Sequence, residues 1–145
     1  MWSKVLWKKI KITQIFFLDI FVANVFSSNQ ENEEELCCNQ LISRVFEKLM
    51  PLAPNAVKFR FMEKLGQDLR KIASNPYASH VLETLLLVNS FKQPNDDDDN
   101  AEDLATKKEW ILKVAKFCIN NFADFAVDPY AAHILRNIFQ VRKKG

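Results

Sequence analysis

Glycine is nearly absent from the chain: of 145 residues only Gly66 and Gly145 are glycine, beside five prolines. So few sharply turning positions argue against a turn-rich all-β fold and against a glycine-rich phosphate-binding loop. Cysteine is scarce and badly spaced for a metal. Cys37, Cys38 and Cys118 are an odd number, the adjacent pair cannot readily bridge, and no second pair completes a zinc set. They read as buried thiols of a reducing compartment. Histidine is limited to His80 and His133, neither with a nucleophile or metal partner nearby in the sequence. No catalytic role is expected for either, and no metal or other cofactor. A net charge of +2 is too small by itself to announce a nucleic-acid binder.

A long apolar run is missing too. The N-terminus, MWSKVLWKKIKITQIFFLDIFVANVF, places Lys4, Lys8, Lys9 and Lys11 ahead of an apolar stretch, as a signal peptide does. Asp19 interrupts that stretch and no small-x-small cleavage site comes after it. Nothing in it reaches the roughly 18–20 apolar residues of a membrane span, so a membrane partner is not expected. Ile12, Ile15, Phe16, Ile20 and Ala23 fall at helical spacing and predict an amphipathic helix that packs on the helices after it in the chain.

What is present is 48% hydrophobic residues, enough for one ordinary domain with a real core. Residues 40–89 carry seven Lys/Arg against four Asp/Glu, and residues 110–145 carry six against two. Acid concentrates instead in Glu31–Glu35 and Asp96–Asp103. The four consecutive aspartates lack the alternating spacing of a calcium loop, so residues 90–109 read as a solvated acidic loop insertion.

The remaining segments read as helices. One begins at Asn39 or Gln40 and ends against Pro51, with Leu41, Val45, Phe46 and Leu49 inward. A longer one from Asn55 turns Val57, Phe61, Leu65, Leu69 and Ile72 inward. Asn75 is a good N-cap, and Pro76 takes the first helical position, where its missing N–H costs nothing. Ala78, Val81, Leu82, Leu85 and Leu86 then recur at three- and four-residue intervals. After the acidic stretch, EWILKVAKFCINNFADFAV predicts another long helix, and Asp128-Pro129 repeats the Asn-Pro start.

Three phrases align: QLISRVFEKLM, PYASHVLETLL and PYAAHILRNIF. Ser43 to Ser79 is 36 residues and Ser79 to Ala132 is 53; the acidic insertion holds the extra 17. Each unit reads as a long helix, a short Pro-containing turn and a second helix, which at this period means an α-solenoid. With the apolar stripe inward, the second helices are expected to display Ser43, Arg44 and Glu47, then Ser79, His80 and Glu83. Residues four apart stand side by side, so the Ser/Glu pair suits the hydrogen-bonding edge of one base, while the Arg or His offers a flat face for stacking. One such trio is what any solvated helix face carries; its recurrence in register favours recognition. The third unit has Ala132, His133 and Arg136, which suits stacking and phosphate holding better than base reading.

Two classes of function fit such a chain: an RNA-binding module, or a protein-interaction scaffold of the HEAT or armadillo kind. An apolar or acidic groove on the second helices would favour a protein ligand, and a Ser/His/Arg/Glu lining with basic flanks would favour RNA. The S-R-x-x-E and Y-A-S-H-x-x-E phrases resemble Pumilio-type RNA-binding repeats. More narrowly, FVANVF, CCNQLISRVFEKL, NPYASHVLETLL and DPYAAHILRNIFQV resemble the nucleolar Pumilio-like family called nucleolar protein nine, from about Asp19 to Val141. The resemblance implies an all-α fold, a right-handed α-α superhelix of Pumilio-like repeats over residues 19–145, with residues 1–18 unmatched. It implies RNA binding in the nucleus and nucleolus, to precursor ribosomal RNA in small-subunit ribosome biogenesis, with pre-ribosomal particle proteins as further partners. No enzyme activity and no small-molecule substrate are implied. Carried across residue by residue, Ser43, Glu47, Ser79 and Glu83 become base-edge contacts, in a pairing that favours guanine, and Arg44 and His80 become stacking residues. The family's proteins are longer arrays. Three units therefore read as part of one (a fragment, a short isoform or an imperfect gene model) with an unsatisfied solenoid end.

Overall fold

Three side-chain caps set the rhythm of the fold. Asn39 Oδ1 accepts from the backbone N–H of Leu41 at 2.9 Å and of Ile42 at 3.1 Å. Asn75 Oδ1 accepts from Tyr77 and Ala78, both at 2.9 Å. Asp128 Oδ1 accepts from Tyr130 at 2.8 Å and Ala131 at 2.9 Å. Each cap satisfies two donors that a helix start leaves open and contributes about 1 kcal/mol.

The structure, a computed structural model, describes residues 2–28, 32–90 and 99–144. In chain order the helices are α1 (Trp2–Ser28), α2 (Glu33–Cys37), α3 (Gln40–Leu49), α4 (Asn55–Gly66), α5 (Leu69–Ser74), α6 (Ala78–Ser90), α7 (Ala101–Asn120), α8 (Phe122–Val127) and α9 (Ala131–Lys144), with a 3₁₀ turn at Met50–Leu52. No strand occurs among the described residues. The chain divides into two compact units, residues 1–30 and 31–145.

The first unit is α1 alone. It runs without a break from Trp2 to Ser28. Val22 and Phe26 are buried while Ile20 and Ala23 face outward, which moves the buried stripe off the expected positions. The side chains of Ile12, Ile15 and Phe16 lie outside the described residues. No described helix is long and apolar enough to cross a membrane.

In the second unit the repeating element is three helices rather than two. The helix expected from Asn55 breaks after Gly66, where Asp68 leaves helical geometry at φ −141° and ψ 60°. The next one breaks at Asn121, whose side-chain amide turns back to donate to the Phe117 carbonyl at 2.8 Å. Glycine and asparagine both weaken a helix interior, the first through backbone entropy and the second by offering the backbone a competing hydrogen bond. The breaks produce short helices α5 and α8, and α2 holds the same place before Asn39. Each unit is thus a short helix, a capped helix and, in the first two, a third helix.

The acidic insertion is also shorter than the sequence suggests. Asn100 Oδ1 accepts from the Asp103 N–H at 2.8 Å in a capping box, so residues 101–109 are helix and not loop. The side chain of Asp99, the last of the four aspartates, is buried: Lys107 Nζ lies 2.6 Å from its Oδ2, and Asn55 Nδ2 donates to its Oδ1 at 2.5 Å. Residues 91–98 lie outside the described residues.

The capped helices α3, α6 and α9 stack side by side, and α4 and α7 lie against them. Val57, Phe61, Leu65, Leu69 and Ile72 are all buried as expected, and the Phe46 and Phe61 rings meet edge to face at 5.1 Å. The stripe expected on α3 is only half kept. Phe46 and Leu49 are buried, whereas Leu41 and Val45 are exposed, since α3 is the outer capped helix of the stack. Trp110 on α7 donates its indole N–H to the Met62 carbonyl of α4 at 2.9 Å, which lets a large ring be buried without stranding its polar atom. Along the short helices, Lys71 pairs with Glu34 at 3.0 Å and Arg70 with Asp124 at 3.3 Å, joining α5 to α2 and to α8. Cys37 and Cys118 are buried, and burial pushes the Cys118 thiol up to about 12.

Candidate nucleic-acid interface

The stack decides which side chains of α3, α6 and α9 reach solvent. A helix flanked on both sides keeps a narrower exposed strip than one that lies alone on a core. On α6 that strip holds His80 and Leu87, with Glu83 and Thr84 half-buried beside them. On α3 it includes Arg44 and Lys48, with Glu47 half-buried; on α9 it includes His133 and Arg136, with Asn137 half-buried. Arg44, His80 and His133 therefore stand in one row, each one residue past the position of Ser43, Ser79 and Ala132.

The two serines do not stand where the sequence places them. Ser43 is 2% exposed and Ser79 1%, both turned into the stack. Ser43 Oγ donates to the Gln40 carbonyl at 3.1 Å, while Ser79 Oγ has no hydrogen-bond partner among the described residues. An amphipathic helix read by itself shows position 79 on its polar face. With α9 and α3 both packed against α6, that position is buried in the stack. Ala132, at the same register, is half-buried. Both hydroxyls are buried within the stack.

The charged groups do converge. His80 Nδ1 lies 3.5 Å from Glu83 Oε2 within α6. Burial holds the Glu47 carboxyl above its ordinary range and the Glu83 carboxylate adds to this, while His80 and Arg44 pull it down. That mutual influence ties α3 to α6: Arg44, Glu47, His80 and Glu83 form one cluster spanning two repeats. Both carboxyls are half-buried at the edge of the strip, with the exposed Arg44 and His80 beside them. Arg44, His133 and Arg136 have no ion pair among the described residues. Such a strip can accept hydrogen bonds from a base edge, stack against planar faces and neutralise phosphates. It is neither apolar nor uniformly acidic, which is the lining expected for RNA rather than a protein ligand. Among the described residues no cluster of three His, Cys, Asp or Glu is placed to hold a metal ion.

Lys48, Thr84 and Asn137 belong to the same strip and do not stand out in the sequence. A signal for them exists there all the same: each lies four residues after Arg44, His80 or His133, directly above it on the helix.

The family model described as a NOP9-like PUF repeat domain matches residues 31–143. Curated relatives carry the name nucleolar protein 9. The protein from Clavispora lusitaniae is 29% identical over 140 residues, 83% of this chain and 19% of its own length. The one from Debaryomyces hansenii is 27% identical over 135 residues, 80% of this chain and 19% of its own length. The one from Fusarium vanettenii is 32% identical over 69 residues, 48% of this chain and 9% of its own length. The chain spans about a fifth of the length of the first two of these relatives. No solved structure matches it.

Proposed function

Since the chain belongs to the NOP9-like PUF repeat family, we propose that it binds single-stranded RNA along the strip of α3, α6 and α9. The observation that carries this reading is the row of Arg44, His80 and His133. Three planar cations or imidazoles are exposed in register, one per repeat, on helices that stack side by side. Glu47 and Glu83 accept hydrogen bonds from base edges, with guanine favoured because its Watson–Crick edge offers two donors. Arg136 holds a phosphate, and Lys48 adds charge at the first repeat. Ser43 and Ser79 space the helices. The names of the relatives support a place in the nucleolus; on this reading the ligand is precursor ribosomal RNA and the process small-subunit ribosome biogenesis. Proteins of the pre-ribosomal particle are its further partners. The role is one of binding, with no reaction attached.

The test is a gel-shift titration with guanine-containing single-stranded RNA at low and high salt. Binding should weaken as salt rises, because phosphate contacts release counterions. Arg44→Ala, His80→Ala and His133→Ala should each cost about 1 kcal/mol or more, roughly fivefold in affinity, if each face stacks on a base. No RNA-dependent shift at low salt sinks the proposal.

A further inference from the structure

A base edge that offers two donors needs two acceptors side by side, and each repeat of this chain taken alone falls short of that. Ser43 and Ser79, the hydroxyls four residues before Glu47 and Glu83, are buried in the stack. Glu83 has one oxygen engaged within its own helix, since Oε2 lies 3.5 Å from His80 Nδ1. The third repeat has Arg136 where the first two have a carboxylate. Acceptors do gather across the seam between the first two repeats. There α3 packs on α6, and Glu47 and Glu83 are both half-buried with Arg44 and His80 exposed beside them. The groups feel one another across that seam. Burial holds the Glu47 proton above its ordinary range, His80 and Arg44 pull it down, and Glu83 pushes it up.

We propose that Glu47 and Glu83 act as one acceptor pair across the α3–α6 seam and together read a single guanine, so that two repeats serve one base. The inference rests on the RNA reading above. The Watson–Crick edge of guanine sets the N1 and N2 donors next to each other, one for each carboxylate. Two half-buried carboxylates repel, and two donated hydrogens relieve that repulsion. Adenine, cytosine and uracil each set an acceptor beside their donor on the same edge. That acceptor meets the second carboxylate with no hydrogen between them, which rejects the base. The residues at the same register of α6 and α9 are Glu83 and Arg136, one acceptor and one donor. The guanine selectivity therefore belongs to the first seam and does not extend to the third repeat.

Fluorescence anisotropy on the full chain at low salt reads the outcome. The probes are uridine RNAs of about eight nucleotides that hold no guanine, one guanine or two adjacent ones. One guanine should tighten binding about tenfold, and a second should add little. Repeats that each read their own base would instead multiply the gain again. Glu47→Gln and Glu83→Gln should each remove most of the single-guanine gain, and the double variant should lose no more than either. With independent readers a lone guanine moves to the intact carboxylate, and each single variant keeps the gain. A gain kept by either single variant, a second guanine that repeats the first gain, or RNA binding with no guanine gain at all overturns the proposal. A wild-type chain that binds none of these RNAs removes the RNA reading itself, and the proposal with it. Circular dichroism checks that the variants fold. If either does not, the side-chain carboxyl NMR signals of the wild-type chain decide. Single-guanine RNA should move those of Glu47 and Glu83 together, and movement of one alone is as damaging as none.

Discussion

The second and third repeats share a skeleton and part company on their surface. Asn75 and Asp128 cap in the same way, Ala78 and Ala131 are both fully buried, and so are Val81 and Ile134. Above that skeleton Glu83 gives way to Arg136, and Leu86, buried, gives way to Phe139, half exposed. The scaffold positions are held by neighbours on both flanks and tolerate little. The strip positions answer only to solvent and ligand, so the charge at the position of Glu83 and Arg136 can reverse without disturbing the stack. On the proposed RNA surface a carboxylate there would favour base reading and a guanidinium phosphate holding.

The largest effect expected from breaking the parallel is in stability. Leu86→Ala removes a side chain that is 1% exposed and should cost about 2–5 kcal/mol, whereas Phe139→Ala, at the same register, should cost well under half as much. Urea melts of the two variants check this, and equal losses would mean that the α9 flank is already covered in solution. Next in size is a charge exchange. Glu83→Arg makes the second repeat resemble the third and should tighten RNA binding at low salt. It should also steepen the salt dependence by about one phosphate contact and reduce the preference for guanine. Arg136→Glu should do the reverse. Affinities at several salt concentrations decide, and an unchanged slope in both variants removes the strip from the binding surface.

The smallest effect concerns Glu47. Burial, aided by the Glu83 carboxylate, holds its proton more tightly in the folded chain than in the unfolded one. The stability this contributes is full below the unfolded value, about 4.3, and is lost as pH rises through the folded value. Glu47→Gln keeps the neutral form at every pH. It should therefore raise the urea midpoint relative to wild type near neutrality and leave it unchanged in mild acid. A gain of equal size at both pH values would assign the effect to packing instead.

Much of this architecture is legible in the residues. The caps at Asn75 and Asp128, the 36-residue spacing and the buried stripe from Val57 to Ile72 all depend on local chemistry, which a sequence states directly. Other features depend on what lies beside a helix, and no periodicity reports that. Ser79 looks polar and outward until α9 closes on its flank. Leu41 and Val45 look like core until α3 proves to be the outer helix of the stack. The breaks at Asp68 and Asn121 are hidden because the apolar spacing continues across them. Asp99 is hidden among its three acidic neighbours, since only its pairing with Lys107 and Asn55 distinguishes it. Of the proposed strip, Arg44, Glu47, His80, Glu83, His133 and Arg136 emerge from the repeat alone, whereas Lys48, Thr84 and Asn137 need the helices to be laid side by side.

The caps at Asn39, Asn75 and Asp128 also bear on how quickly the chain finds its fold. Each repeat carries its own start signal within two or three residues of the amides it satisfies, so ordering can begin at any of the three without waiting for the others. Most later contacts join helices adjacent in the chain or one repeat away. Chains built of such short-range contacts lose little loop-closure entropy before the first gains arrive. Rapid assembly with several equivalent starting points, rather than one obligatory nucleus, is the kinetic counterpart of writing the same phrase three times.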